Sequence, residues 1–383
     1  MKILIHGPAF WAKSAYGKQI KLLIDALHTL GVTEIAQSVT YGLMGRAFEL
    51  NGVLMLPADG RDAWGNGSVI EHYNYYQPDV VLSLGDVFGL DPAVWSQLPW
   101  VPWVTVDSEP LWPDIVTALQ AAKRPLLAYS QYGRDVLQRR GFDAAYVPLA
   151  YDPAEFFPVH RLEARARINL PADRFVVLMV QANRHHDNRK NWDGQLTAFA
   201  DFKRDHPDAF LFMHTCRNSA RGGYELDWLL DALGLVEGRD FAFSDQYTET
   251  LAGASDAIMR DLYNASDVLL EATKAEGFGV PMLEALACGT PVIYTDFGAS
   301  KEVGRGWAVD YAPEWCWTGS WWCKPSRVGI VDALANAYGH DVDRADLVSE
   351  AAPYRLDTVT QMYWRDVVEG WERDRDRGRE AQA

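Results

Sequence analysis

The sequence has few cysteines, no long apolar run and a shortage of positive charge. Its 383 residues include only 4 cysteines, of which only Cys316 and Cys323 lie close together, so reduced thiols of a cytoplasmic protein are expected rather than a disulfide framework or a zinc site. No segment approaches the roughly 20 consecutive apolar residues of a membrane helix. The start, Met1–Pro8, is predicted to be a buried strand and not a secretory signal.

The charge balance argues against a nucleic-acid-coating surface. Lys and Arg number 36 against 52 Asp and Glu, a formal charge of −16. Residues 1–150 contain 11 basic and 14 acidic residues, or −3, which leaves −13 for the remainder. A local basic pocket for a small anion stays compatible with this balance.

Length and pattern predict two α/β domains. A chain of 383 residues is longer than a domain with a single hydrophobic core usually is. Unbroken apolar strands alternate with helical patterns twice, which is typical of doubly wound parallel sheets. We predict one domain over 1–152, a second over 153–355, and a C-terminal helix over 356–383 that packs back on the first. The predicted strands include Val80–Leu84, Trp103–Val106, Leu126–Tyr129, Tyr146–Pro148, Phe175–Val180, Ala209–Met213, Asp267–Leu270 and Pro291–Tyr294.

The most informative segment runs from Glu276 to Val292. Pro281 suits the first position of a helix and Gly289 the position just past its end, so a helix over Pro281–Cys288 is predicted. Its N-terminus follows a glycine-bearing loop at the carboxyl end of a strand, where such sheets bind ligands and where helix N–H groups favour a diphosphate.

Two glutamates flank this loop. Glu276 lies in the loop and Glu284 is expected in the first turn of the helix. Carboxylates accept hydrogen bonds from hydroxyls, so a sugar on one side and a ribose on the other would satisfy both.

The segment Glu276-Gly-Phe-Gly-Val-Pro…Glu284-Ala…Gly289-Thr-Pro-Val resembles the signature of the retaining glycosyltransferases of family 4, the group 1 glycosyltransferases. The resemblance implies a GT-B fold: two Rossmann-like domains facing a central cleft. It further implies a hexosyltransferase-type reaction with retention and without a bound metal or other cofactor. Glu276 would contact the donor sugar and Glu284 the ribose, while Phe278, Gly279 and Val280 would offer backbone N–H groups to the sugar and diphosphate.

A basic segment after the first strand of the second domain extends the resemblance. Arg184 and Lys190 fit by spacing the family's pair of cations that neutralises the diphosphate, and Arg189 could replace either one. Glu302 matches a residue that orients the site in the family. A solvated basic turn is the alternative for the cations.

The first domain departs from the family pattern. Its loop from Gly7 to Gly17 is longer and aromatic, so Tyr16 and the two glycines could touch the acceptor or simply cover the cleft. Asp107 stands where many relatives have His, and Asp86 ends the neighbouring strand. Both aspartates could orient or deprotonate an acceptor hydroxyl, or could cap the segments that follow them.

A tryptophan-rich segment, Glu314–Cys323, forms the second departure. Its four tryptophans, Trp317 among them, could form an acceptor platform, a contact between subunits of a homo-oligomer, or packing against their own domain.

The sequence therefore predicts a cytoplasmic transferase that uses a UDP- or GDP-sugar. The acceptor could be a glycan, a small molecule or a modified polymer, including a modified nucleic-acid base or a protein. A nucleotide-sugar epimerase or a non-catalytic sugar-binding module on the same fold is the alternative from another class.

Overall fold

The computed structural model describes residues 1–184, 187–218, 222–247 and 253–380, and the chain divides into two compact units. Unit 1 contains Met1–Ala150, Trp317–Ser320 and the chain from Tyr354 onward. Unit 2 contains Tyr151–Cys316 and Trp321–Pro353.

The strands of the described ranges are β1 (Lys2–Gly7), β2 (Glu34–Val39), β3 (Phe48–Leu50), β4 (Val53–Leu56), β5 (Val80–Gly85), β6 (Trp100–Val104), β7 (Leu126–Ala128), β8 (Ala144–Tyr146), β9 (Phe175–Val180), β10 (Ala209–His214), β11 (Phe241–Phe243), β12 (Val268–Glu271), β13 (Val292–Thr295), β14 (Gly306–Val309), β15 (Tyr311–Trp315) and β16 (Trp321–Pro325).

The helices are α1 (Ala15–Thr29), α2 (Asn66–Tyr76), α3 (Pro92–Trp95), α4 (Pro113–Leu119), α5 (Gln131–Arg139), α6 (Arg161–Ile168), α7 (Trp192–Asp205), α8 (Leu226–Ala232), α9 (Asp256–Ala265), α10 (Val280–Ala287), α11 (Gly298–Val303), α12 (Arg327–Gly339), α13 (Arg344–Ala351), α14 (Leu356–Val359) and α15 (Arg365–Glu380).

Unit 1 is built on an eight-stranded sheet in the order β3-β4-β2-β1-β5-β6-β7-β8. Within it, β3 pairs antiparallel with β4, and the other neighbours are parallel. The apolar side chains of β1 and β5 are buried on both faces of the sheet, because helices cover both sides.

Two strands of unit 1 lie earlier in the sequence than predicted. β6 runs over Trp100–Val104 rather than Trp103–Val106, with Pro102 inside the strand opposite Ser83. β8 ends at Tyr146, whereas the prediction extended to Pro148. Proline has no N–H to donate to a neighbouring strand and usually lies outside or at the end of a strand. Pro102 lies inside β6, so the position of proline does not mark the limits of this strand.

The C-terminal stretch of unit 1 is helical from Leu356 to Glu380, but a π-helix over Thr360–Trp364 interrupts it. Trp364 is buried and packs edge-on against Trp103 of β6, with ring centroids 4.8 Å apart. This aromatic contact anchors the helix on the sheet of its own unit.

Unit 2 contains a six-stranded parallel sheet in the order β11-β10-β9-β12-β13-β14. Counted from β9, this is the 3-2-1-4-5-6 order of a dinucleotide-binding sheet. The side chains of Leu196, Phe199 and Phe202 on α7 bury one face of the sheet. The predicted doubly wound α/β class is confirmed in both units.

The tryptophan-rich segment Glu314–Cys323 lies within the antiparallel hairpin β15–β16. Trp315 and Trp321 lie opposite each other near its end, with ring centroids 4.9 Å apart. Within the described ranges, no helix is both long and apolar enough to cross a membrane. The four cysteines are free thiols.

Candidate active site

The candidate donor site lies where the strand order of unit 2 reverses. β9 and β12 are neighbours, yet the chain leaves β9 towards β10 on one side and β12 towards β13 on the other. The carboxyl edge of the sheet at such a reversal is where ligands bind in folds of this type. Lys190 belongs to the loop after β9, whereas Glu276 belongs to the loop after β12.

Backbone and amide hydrogen bonds hold the two loops together. Asn191, in the left-handed conformation with φ +53, donates from its side chain to the carbonyl oxygen of Ala272 at 2.9 Å. The Lys274 N–H donates to the carbonyl oxygen of Arg189 at 2.9 Å. These hydrogen bonds hold the loop after β9, which carries Lys190, against the loop after β12, which carries Glu276.

Lys190 is the centre of a buried charge cluster. Its Nζ donates to Glu276 Oε1 at 2.6 Å and lies 3.6 Å from Glu271 Oε1. Arg189 Nη1 lies 3.5 Å from the same Glu276 oxygen and donates to the carbonyl oxygen of Ala275 at 2.5 Å. Two cations and two carboxylates thus meet in one cluster.

The two carboxylates have opposite electrostatic environments. Burial alone would raise the pKa of Glu276, but the adjacent Lys190 and Arg189 charges outweigh it and bring this pKa below its usual value. Burial raises the pKa of Glu271 to about 8, with repulsion from Glu276 adding to it and Lys190 opposing it. Glu276 is therefore an anion at neutral pH, whereas Glu271 is largely protonated.

Helix α10 presents its N-terminus beside this cluster. Gly279 occupies the N-cap position with φ +97, and no side chain caps the helix. The uncapped first turn leaves backbone N–H groups and the positive end of the helix dipole for an anion. Phe278 and Val280, predicted to offer their amides, are buried on either side of Gly279.

Glu284 lies in the second turn of α10, not in the first as predicted, because the helix begins one residue earlier, at Val280. Its side chain is 5% exposed and its Oε2 accepts a hydrogen bond from the Tyr263 hydroxyl at 2.7 Å. Tyr263 comes from α9, so two helices define the position of this carboxylate.

The structure brings Arg189 to the cluster but not Arg184. Arg184 is exposed and forms no ion pair with any described residue. The adjacent residues 185 and 186 lie outside the described ranges. Glu302 is partly buried in α11, and its carbonyl oxygen accepts a hydrogen bond from Arg305 at 3.0 Å.

The candidates of unit 1 cluster at a second reversal of strand order, between β1 and β5. Gly7 ends β1, where a Cβ would lie 2.8 Å from Ile20 Cδ1. At Gly17 a Cβ would lie 2.2 Å from the Ala12 carbonyl oxygen, so both glycines permit close packing. The Tyr16 hydroxyl donates to Asp86 Oδ1 at 3.1 Å, which joins the start of α1 to the end of β5.

Asp107 and Trp317 occupy different surroundings in unit 1. Asp107 is partly buried, three residues beyond the end of β6, at the same carboxyl edge as Asp86. Trp317 is 70% exposed, and its ring lies 5.4 Å from that of Trp112. Its roles as acceptor platform or subunit contact stay predictions.

Glu271 and Tyr263 contact residues of the candidate donor site and were not predicted. Glu271 is the last residue of β12, so a charged residue at the end of an otherwise apolar strand was the available signal. Tyr263 gives no such signal, because only the packing of α9 against α10 brings its hydroxyl to Glu284. Among the described residues, no group of three or more His, Cys, Asp or Glu side chains could hold a metal ion.

Comparison with known families places the cluster inside a conserved domain type. Residues 175–314 match the model of the glycosyl transferases group 1. The chain is 36% identical over 90 residues to the lipopolysaccharide core biosynthesis mannosyltransferase LpsB of Rhizobium meliloti (strain 1021), covering 21% of this chain and 26% of LpsB. It is 30% identical over 190 residues to D-inositol 3-phosphate glycosyltransferase of Kineococcus radiotolerans, covering 48% of this chain and 42% of that protein. The matches thus span less than half of either curated relative.

Solved structures share the fold over nearly the whole chain. Sucrose-phosphate synthase (tll1590) from Thermosynechococcus elongatus superposes with a TM-score of 0.75 at 16% identity, covering 97% of this chain and 100% of that one. Anabaena Alr3699/HepE in complex with UDP and glucose gives a TM-score of 0.68 at 16% identity, with 96% and 100% covered. The resemblance predicted from the sequence is confirmed to this extent: residues 175–314 match the group 1 glycosyltransferases, and the chain has the two Rossmann-like units of the GT-B fold.

Proposed function

We propose that this chain transfers a hexose from a UDP- or GDP-sugar to an acceptor hydroxyl, with retention of anomeric configuration and without a bound metal ion. The observation that carries the proposal is the Lys190–Glu276 ion pair at the strand-order reversal of unit 2, beside the uncapped start of α10. The LpsB relative is named a mannosyltransferase, and the HepE structure contains UDP and glucose. Both names fit a nucleotide-activated hexose as donor.

The leaving group is the nucleoside diphosphate. Lys190, Arg189 and the α10 amides would stabilise the negative charge that develops as the bond from the sugar to the diphosphate breaks. These protein cations supply the charge compensation for which other transferases use a divalent metal. Glu276 would accept hydrogen bonds from the sugar hydroxyls, and Glu284 from those of the ribose.

Retention follows if the acceptor attacks from the face that the diphosphate leaves. The departing phosphate oxygen then takes the acceptor proton, so no separate protein base is needed. Orientation of the acceptor hydroxyl by Asp86 and Asp107 stays a prediction from the sequence. A glycan or small-molecule hydroxyl is the favoured acceptor, because the net charge of −16 disfavours a nucleic acid. The free thiols support a cytoplasmic setting.

The test begins with ligand-induced thermal stabilisation by UDP, GDP, ADP and their sugars. The preferred nucleotide sugar is then incubated with the protein in the presence of EDTA, and the products are followed by NMR. Slow hydrolysis to the sugar of unchanged anomeric configuration supports the proposal. Interconversion of the sugar indicates an epimerase, binding without turnover indicates a sugar-binding module, and absence of any binding overturns the proposal.

A further inference from the structure

Glu271 is a buried carboxyl group that lacks a hydrogen bond to the described residues. Its side chain is 0% exposed, and neither carboxyl oxygen forms a hydrogen bond with any described residue. A buried polar group without a hydrogen bond lowers the free energy of unfolding, and an apolar side chain at the end of β12 would avoid that loss. Such a group needs a functional reason.

Among the described residues, the cation that forms an ion pair with Glu271 is shared with another carboxylate. Among the described residues, Glu276 is the sole hydrogen-bond acceptor of Lys190 Nζ, at 2.6 Å. Glu271 Oε1 lies 3.6 Å from the same Nζ. This distance is longer than a charge-assisted hydrogen bond by less than about 1 Å, and rotation of the side chains can close the gap.

In the proposed function, Glu276 leaves its ion pair with Lys190 when the donor sugar binds. A donor sugar that hydrogen-bonds to Glu276 competes with Lys190 for the same carboxylate oxygens. Lys190 would then lose the Glu276 carboxylate, which positions its ammonium, while that ammonium must stay in contact with the diphosphate. Glu271, whose Oε1 lies 3.6 Å from the same ammonium, is the group placed to hold it.

We propose that Glu271 is a positioning residue that takes over the Lys190 ammonium when Glu276 turns to the donor sugar, an inference that rests on the proposed function. Glu276 and Glu271 are then alternative partners of one cation. Occupation of the sugar subsite decides which of them holds it.

The charge of the cluster makes the binding of a diphosphate depend on pH. The charged and titratable groups that face Glu271 are Lys190 and Arg189 from the loop before α7, Glu276 from its own loop, and Tyr263 from α9. With Glu271 protonated, the charges of Lys190, Arg189 and Glu276 sum to +1, whereas ionisation of Glu271 reduces the net charge to zero. The pKa of Glu271, raised by burial to about 8, means that a diphosphate should bind more weakly as the pH rises through 8.

The test compares Glu271→Leu and Glu271→Gln by calorimetric titration with UDP-glucose, GDP-mannose, UDP and GDP. Leucine removes the acceptor but suits the buried position, so the melting temperature should not fall. The dissociation constant for the bound nucleotide sugar should rise about tenfold at pH 7. It should rise less for the nucleoside diphosphate alone, because Glu276 then keeps Lys190.

Glutamine retains an acceptor and cannot ionise. Glu271→Gln should recover most of the affinity that Glu271→Leu loses at pH 7, and it should not show the weakening of wild-type binding between pH 7 and pH 9. Asp261→Asn is the matched control, because Asp261 is a buried acidic residue of unit 2 that pairs with Arg167 at 2.8 Å, outside the site. It should bind like the wild type.

Two results would overturn the role of Glu271 alone: equal nucleotide-sugar affinity in wild type and Glu271→Leu, or an equal loss for nucleotide sugar and nucleoside diphosphate. The second result would mark general damage to the site. If the wild type binds none of the four ligands, the proposed function fails, and the inference falls with it.

Discussion

The ammonium of Lys190 lies 2.6 Å from Oε1 of Glu276, so the cation predicted for the diphosphate and the carboxylate predicted for the sugar form one ion pair. Each partner is anchored by a different loop, and the loops follow the two strands between which the strand order reverses. Removal of either partner leaves the other charge buried. The two residues should therefore behave as a unit rather than as independent contacts.

Glu276→Ala and Glu284→Ala should affect different steps. Glu276 pairs with Lys190, the cation that would stabilise the leaving diphosphate, so removal of the Glu276 carboxylate should lower kcat by about 100-fold or more. Glu284 would bind the ribose in both ground and transition states, so its removal should chiefly raise the donor KM. Steady-state kinetics of donor hydrolysis measures both, and unchanged kinetics in the two variants would reject the site.

Arg189→Met should reduce kcat/KM for the donor more than Arg184→Met. Arg189 lies 3.5 Å from Glu276, whereas Arg184 is exposed and outside the cluster. The two variants remove the same charge from the same loop, so each serves as the control for the other. The opposite order would mean that Arg184 moves onto the donor when it binds.

Tyr263→Phe should weaken nucleotide binding about three- to tenfold, because it removes the hydrogen bond that positions Glu284. The measurement is a titration with the preferred nucleoside diphosphate. Tyr338→Phe is the matched control, since its hydroxyl also contacts a carboxylate of unit 2, that of Asp208 at 3.2 Å. Equal affinities in both variants would contradict a role for Tyr263.

Gly279→Ala should cost about 1–2 kcal/mol of unfolding free energy and also weaken donor binding. Its φ of +97 is unfavourable for alanine, and relief of the strain would turn the first amides of α10 away. Gly234→Ala has the same kind of cost, with φ +73 and open space around the added methyl group, but lies outside the site. Urea unfolding should show a loss in both variants, larger for Gly279→Ala because its Cβ would also lie 2.1 Å from Met282 Cε, whereas nucleotide binding should fall only in Gly279→Ala.

The stability of unit 1 should fall in mild acid because of His6. This residue is buried in β1, with Nε2 2.9 Å from the Trp64 carbonyl oxygen and Nδ1 3.0 Å from Ser38 Oγ. Burial lowers the pKa of His6 to about 4, so the unfolded chain binds the proton first as the pH drops. The contribution is complete above pH 6.5 and is lost progressively towards pH 4.

Thermal melts at pH 7, 6, 5 and 4.5 measure this effect. His6→Gln should be less stable at pH 7 but should lose less stability on acidification than the wild type. His340→Gln, at an exposed position, should keep the wild-type pH dependence. Parallel curves for wild type and His6→Gln would exclude His6 as the cause.

Much of the fold could be predicted because its signals are local. The apolar run Phe175–Val180 forms β9 with the predicted bounds, and Pro281 and Gly289 mark the two ends of α10 to within one residue. The limits of β6 were wrong because Pro102 lies inside a strand, where local preference would place a boundary. There, pairing with β5 outweighs the preference of a single residue.

The candidate site could be predicted only in part. Glu276 and Glu284 belong to a contiguous motif, so their neighbourhood along the chain already indicated a sugar nucleotide. The choice between Arg184 and Arg189 depends on how the loop turns at Asn188 and Asn191, both at φ +53, which no spacing rule specifies. The role of Glu271 depends on a distance of 3.6 Å to a side chain 81 positions earlier in the sequence.

The sequence by itself determined the alternation of strands and helices, the motif after β12 and the family resemblance of residues 175–314, because these depend on neighbouring residues. Only the tertiary structure decided which charges meet. Strand order places the loops after β9 and β12 side by side, and burial there makes one ammonium the partner of two carboxylates of opposite tendency to ionise. Long-range pairing and desolvation are properties of the folded chain, and a linear sequence does not display them.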